Sequence, residues 1–419
     1  MTRSVGVVGA GMVGLATAWF LQERGIEVTV LERRDVAAGA SLGNAGWLSP
    51  AMTTPLPEPR VLAYGLNALL KRDAPFRVPP RSLTSSAPFL LRFAANCTGR
   101  RFAAGLAAFR GIAAAALPAY DALAAGGVEA ATHESAVYAA FEDPRGVLEL
   151  QHELELVARG GIDARTAVLG AGEIHAEVPV LSPLIRHGLR LEGQRFIDPG
   201  AFVASLAESV AGRGGKIEAG VSVREVVAGL SGVAVETSSG QRRFDDLVLA
   251  SGAWLGALAR RFGVRVPVAA GRGYSLHVGS RVPLASPLYL PAARVACTPL
   301  QGGIRLAGTM EITSPDAPLD KRRIDAIVSS AARLLSGDVL LATASSTWVG
   351  PRPITSDGLP LIGATAAPHV FVAGGHGMWG ITLGPATGQL LCELVVTGAP
   401  PEALLPFDPL RSSPPLRRG

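Results

Sequence analysis

Three glycines spaced as Gly9-x-Gly11-x-x-Gly14 stand between an apolar run, "SVGVV", and a helix-like stretch, "LATAWFLQERG". That placement suits a pyrophosphate. Gly9 permits the tight turn, Gly11 lets a phosphate approach the backbone, and Gly14 lets helix pack on strand. The first helical residues, Met12 and Val13, offer free N–H groups at the positive end of a helix dipole. Glu32 closes the next apolar run, "IEVTVLE", where a carboxylate can accept hydrogen bonds from an adenosine ribose. Arg33 follows it as a further candidate contact at that end. Arg33 and Arg34 would suit a 2′-phosphate, but Glu32 repels one, which disfavours NADP.

Two more glycine-bearing stretches have the same character. "GASLGNAGWLSP", residues 39–50, brings Ser41 and Asn44 as donors among small residues, as a long, flat cofactor requires. "GGHGMWGITLGPATG", residues 374–388, runs from an apolar strand into a helical pattern. Glycine costs entropy on folding, so this cluster implies either a backbone turning through positive φ or a close approach by another group.

The elements that must position these residues are scattered. Residues 4–32 read as one βαβ unit. Ala-rich helical sequence spans about Ser86 to Ala125, and a second buried strand lies in "RRFDDLVLASGAW". From Val266 to Ile312 the pattern turns to alternating β-runs, followed by a helix from about Leu319 to Leu335. Strands able to build a parallel sheet occur in the first, middle and last thirds, so that sheet must belong to a discontinuous domain.

Composition narrows the function classes. The 419 residues are 48% hydrophobic and 17% charged, which is globular rather than disordered. No uninterrupted apolar run reaches the roughly 18 residues of a membrane span. The first strand begins at about Ser4, leaving no room for a signal peptide. Three widely spaced cysteines (Cys97, Cys297, Cys392) form neither a disulfide framework nor a metal motif, and fit a reduced, cytoplasmic setting. The net charge is +5, with Lys71, Arg72, Arg77, Arg81, Arg92, Arg100 and Arg101 in one region. No nucleic-acid module accompanies them. Beside Phe89 and Phe93 they allow peripheral contact with anionic lipid at the inner face of a membrane, or simply a solvated basic surface.

The order of "SLGNAGWLSP", "LLRFAANCT", "GRGYS", "GTMEI", "GPRPITSDGLPLIG" and "GGHGMWGITLGPATG" resembles FAD-dependent D-amino acid dehydrogenases, from about residue 4 to residue 400. These sit within the wider D-amino acid oxidase and glycine oxidase superfamily. The resemblance implies an α/β plus α+β architecture. A discontinuous Rossmann-like FAD-binding domain would take residues 1–48, 198–265 and 350–410. A substrate domain on an antiparallel sheet would take 49–197 and 266–349, leaving a 411–419 tail.

It also implies the site. Ser41, Asn44, Ala45 and Gly46 would serve the pyrophosphate and middle of the flavin, and Val223 the adenine. Ser251 and Gly252 would close on the dinucleotide. Gly377, with the N–H groups of Gly380, Ile381 and Thr382, would face the flavin N1–C2=O edge. No cysteine lies in the stretch that carries covalent flavin in some members, so FAD should be non-covalent. No metal is expected.

Arg352 matches the arginine that grips the substrate carboxylate; otherwise it would pair with an acid such as Asp357. Tyr274 would add a hydrogen bond or simply pack in the core. Arg272 stands where many dehydrogenases have Lys, and its reach to substrate is open. His376 either tunes substrate ionisation or braces the scaffold, and Met310 lines the pocket or fills the core. The implied reaction removes a hydride from the α-carbon of a D-amino acid to flavin N5, and the imine hydrolyses to a 2-oxo acid and ammonia. A quinone or an electron-transfer protein would take the electrons. Proline-type imino acid dehydrogenases, glycine or sarcosine oxidases, and a catalytically silent flavin-binding module remain alternatives.

Overall fold

The computed structural model describes residues 3–59, 61 and 76–411. Lys71 and Arg72 of the basic region, and residues 412–419 of the expected tail, lie outside them.

A six-stranded sheet carries the glycine turn. Its order is Leu361–Ala364, Val370–Gly374, Asp246–Leu249, Ser4–Val8, Glu27–Leu31, Lys216–Glu218. All neighbours are parallel except Leu361–Ala364 against Val370–Gly374. A parallel strand covered on both faces reads as continuous apolar sequence, and Val5, Val7 and Leu247–Leu249 are fully buried. The strands come from three distant stretches of chain, as the scattered β-runs require.

The helix Met12–Gln22 is buried over nearly its whole circumference, from Met12 to Leu21. The final helix, Gly380–Thr397, lies across it. A Cβ on Gly388 would come within 2.6 Å of the Ala16 and Thr17 backbone, so only glycine permits this crossing. Beside them runs Gly99–Ala125, a helix long and apolar enough to cross a membrane. Its buried face (Phe109, Ile112, Ala116, Tyr120, Leu123) joins the same core, and the Tyr120 hydroxyl donates to the Ile381 carbonyl at 2.6 Å. The Ala-rich stretch folds as two helices. Pro80–Asn96 ends before Thr98, whose extended backbone and hydroxyl, accepting from Arg101 N at 3.4 Å, start the second. The later helix is likewise shorter than expected, Lys321–Ala332, with Asp320 capping its start.

The larger sheet has ten strands, mostly antiparallel. Val268–Ser280 lies between Gly303–Ile312 and the edge strand Val339–Thr355. The edge strand runs to Thr355, so this sheet extends past the expected boundary at residue 349. A three-stranded antiparallel sheet, Val223–Gly229, Gly232–Thr237 and Gly240–Phe244, completes the architecture.

Candidate active site

One cleft collects the glycine turn, the 39–46 loop, Arg352 and the final glycine stretch. Gly9 adopts φ +115° with Ala250 O 2.5 Å from where a Cβ would stand, so this turn admits only glycine. Gly14 keeps the helix against the strand, since a Cβ there would lie 2.0 Å from Gly9 O. No side chain caps the first helix from Gly11; the Ser41 hydroxyl accepts from Met12 N at 3.2 Å. The final helix is also uncapped, and its first residues, Gly380 and Ile381, line the same cleft. Two positive helix ends thus open onto one cavity.

Glu32 lines the cleft while bracing the turn. One carboxylate oxygen accepts from Ala10 N and the other from Arg34 N, both at 2.9 Å. Lone pairs remain on each oxygen for a ribose hydroxyl. Replacing Glu32 with alanine removes both functions. The FAD dissociation constant is expected to rise about tenfold, with relative substrate preference unchanged; flavin fluorescence titration of the apoprotein checks this.

Arg352 stands on the edge strand with its guanidinium laid over Gly273, where a Cβ would be 2.1 Å from Cζ. Among the described residues nothing pairs with it. The acid that would have made it structural is already engaged: Asp357 accepts from Arg411 at 2.9 and 3.2 Å. Burial pushes the Arg352 pKa down to about 10, which leaves it charged at neutral pH. An unpaired cation facing a cleft is an anion site.

His376 also lines the cleft, and its Nε2 is 2.8 Å from the Thr387 hydroxyl. Burial pushes its pKa down to about 4, so it is neutral at physiological pH. It ties the glycine stretch to the final helix, as a scaffold residue would, while also forming cleft wall.

Of the other expected contacts, Val13, Asn44, Gly252 and Gly377 are in the cleft wall. Several are not. Tyr274 is fully buried with its hydroxyl on Glu311 at 2.9 Å. Strand alternation is the reason: Gly273 faces Arg352, so its neighbours Arg272 and Tyr274 face away. Arg272 donates twice to Pro318 O at 3.1 Å and lies 3.8 Å from Glu311. Met310 belongs to a buried apolar cluster. Arg33 is stacked 3.7 Å over the Trp254 ring and paired with Asp316 at 2.5 Å, which holds it out of the cleft wall. Ala45 and Gly46 tie their loop to the larger sheet, through Thr298 at 2.6 Å and Ile197 at 2.9 Å. The Thr382 hydroxyl donates to Trp47 O at 2.9 Å. Val223 begins a strand of the small sheet opposite Thr237. Arg34, weighed only against a 2′-phosphate, lines the cleft, as does Trp254, which was not singled out; Trp254 follows Ser251-Gly252 directly, which is the only local signal for it.

The walls fit a flavin dinucleotide. The Ser251 hydroxyl, next to Gly252, is buried with no partner among the described residues. A Cβ on Gly252 or Gly377 would meet nothing within 4 Å, so both leave room. Together with two helix ends and a carboxylate, these are the donor set of a long anionic cofactor.

A discontinuous parallel sheet with such a cleft, set beside a mainly antiparallel sheet, defines a dinucleotide-dependent oxidoreductase. The chain belongs to the DAO family of FAD-dependent oxidoreductases, whose model matches residues 4–394. FAD is its cofactor. It is similar to a D-amino acid dehydrogenase of Cereibacter sphaeroides, 30% identical over 94% of this chain and 92% of the relative. A D-amino acid dehydrogenase of Xanthobacter autotrophicus is 31% identical, covering 94% and 95%. The fold matches glycine oxidase from Geobacillus kaustophilus with a TM-score of 0.74 at 23% identity, over 98% and 100% of the two chains.

Proposed function

We propose that this protein is a D-amino acid dehydrogenase, converting D-amino acids to 2-oxo acids and ammonia. The observation that carries the reading is the unpaired Arg352 guanidinium held in the wall of the FAD cleft. A planar fork of donors suits a carboxylate bidentately and fixes the α-carbon that carries it. The bound flavin supplies the hydride acceptor.

The residues around it bind and orient rather than exchange protons. His376, neutral and tied to Thr387, adds no charge beside the substrate amine, which must itself be neutral for its lone pair to assist. Gly11, Met12 and Ser41 would hold the pyrophosphate, and Glu32 the ribose. The helix start at Gly380 and Ile381 would place N–H dipoles where negative charge develops on reduction. The three cysteines are buried and none lines the cleft among the described residues, which supports non-covalent FAD. In this reading the electrons pass to a quinone or an electron-transfer protein, and the enzyme works in the cytoplasm, at the inner face of the membrane where the acceptor is a quinone.

Anaerobic addition of D-amino acids should bleach the flavin absorbance of the purified protein, while the L-enantiomers leave it unchanged. Bleaching by sarcosine or hydroxyproline with none by any D-amino acid would overturn the assignment in favour of an imino acid or glycine-type enzyme.

A further inference from the structure

Between the strand Gly303–Ile312 of the larger sheet and the helix Lys321–Ala332 run eight residues, "TSPDAPLD", numbered 313–320. Two prolines, Pro315 and Pro318, narrow the backbone freedom of this segment. Its root is fastened to the larger sheet and its surroundings by buried groups. The Thr313 hydroxyl shares a hydrogen bond with that of Ser82 at 2.8 Å. Arg272, fully buried on the back of its strand, donates twice to Pro318 O at 3.1 Å. Asp320 caps the helix that follows, accepting from Arg322 N at 3.1 Å.

The tip of the segment belongs elsewhere. Asp316 is exposed, and its carboxylate reaches residues that follow strands of the parallel sheet. One oxygen accepts from Arg33 at 2.5 Å and the other from Trp254 Nε1 at 3.0 Å. Arg33 comes directly after Glu32, and Trp254 ends the turn Gly252–Trp254. The Arg33 guanidinium lies 3.7 Å from the centre of the indole, so Trp254 is held by a hydrogen bond at its nitrogen and a cation on its face. Trp254 and Glu32 line the cleft, and Asp316 does not. The segment therefore bridges the two sheets beside the Glu32 end of the cleft, with a buried root and an exposed tip. An ion pair that water reaches is weak and screened by salt, whereas the buried bonds of the root are not.

We propose that residues 313–320 are a strap across the FAD cleft, with Asp316 as its catch on Arg33 and Trp254, and that FAD enters and leaves when the catch is open. The strap opens at this tip because water reaches Asp316, while Arg272 keeps the root in place. Arg272, turned away from the cleft, thus serves it as the strap's anchor. Releasing Asp316 frees the indole nitrogen and lets the wall at Trp254 part from the strap. Because Asp316 stands outside the cleft wall, it adds little to the affinity for FAD once bound. A catch that closes equally with and without cofactor slows entry and exit by the same factor.

The test follows FAD exchange and involves no turnover, so it stands apart from the proposed reaction. Association of FAD with the full-length apoprotein is read from the loss of free-flavin fluorescence. Release from the holoprotein is read with a phosphodiesterase present, which cleaves only free FAD and prevents rebinding. Asp316→Ala should accelerate both by about three- to tenfold, leaving the dissociation constant within about twofold of the parent's. The gap between parent and variant should narrow on going from low salt to about 0.5 M NaCl, because the lost pair is one that salt screens. Arg33→Met removes one partner of the catch and should act in the same direction, adding little when combined with Asp316→Ala. Both rates unchanged in Asp316→Ala, or only one of them faster, overturns the proposal; faster release alone would make Asp316 a support for bound FAD and not a catch. A double variant accelerated by the product of the two singles overturns it as well.

Discussion

Replacing Arg352 with alanine should raise the D-amino acid concentration needed for half-reduction of the flavin by about tenfold or more. A charge-assisted hydrogen bond contributes on the order of 1.5–3 kcal/mol, and a bidentate pair loses two. Hydride transfer itself should also slow, because a substrate no longer clamped by its carboxylate presents its α-carbon poorly. Arg352→Lys keeps the charge but not the fork, and a shorter cation no longer spans the Gly273 floor, so it should recover little. FAD content should be unaffected, since in the proposed arrangement Gly9, Glu32 and the two helix ends would hold the cofactor without Arg352. Anaerobic stopped-flow reduction of the parent and both variants measures this. Unchanged reduction in a flavin-loaded Arg352→Ala would show that the carboxylate is held elsewhere.

The second large effect comes from a residue with no side chain of its own. Gly273→Ala places a methyl group 2.1 Å from the Arg352 Cζ position, and the guanidinium must move off the strand to accommodate it. Half-reduction should again require about tenfold more substrate, with the protein folded and yellow. The two changes act on one interaction, so they should not add: Gly273→Ala combined with Arg352→Ala should resemble Arg352→Ala alone. A double variant roughly as impaired as the product of the two singles would mean that Gly273 matters for some reason other than making room for this side chain.

That pair also shows what was legible from sequence and what was not. The turn at Gly9 and the carboxylate of Glu32 belong to one local βαβ unit, so their spacing was enough to single them out; Ser41 and Asn44 reach the same cleft from the next loop. Strand parity is different. "GRGYS" offers an arginine and a tyrosine at alternate positions, and nothing in those five letters says which face meets the cleft. The structure turns Gly273 to the Arg352 guanidinium and sends Arg272 and Tyr274 to the back, where Glu311 and Pro318 engage them. The same limit hid the pairing of Gly273 with Gly350 on one side and Met310 on the other, which exists only once three strands are in register. Arg352 could be singled out, but its lack of a partner depended on Arg411 having claimed Asp357.

The crossing of the first and last helices has a consequence for how the enzyme is made. Gly388 presses on Ala16 and Thr17, the strand Val370–Gly374 flanks the central pair of the parallel sheet, and Gly380 supplies one of the cleft's two helix ends. A nascent polypeptide still lacking residues 370–397 therefore has its glycine turn but no complete cradle around it. Contacts this distant in sequence form late, after the entropy of closing nearly the whole chain has been met. The cradle is therefore complete only once the last strand and helix have joined the N-terminal turn.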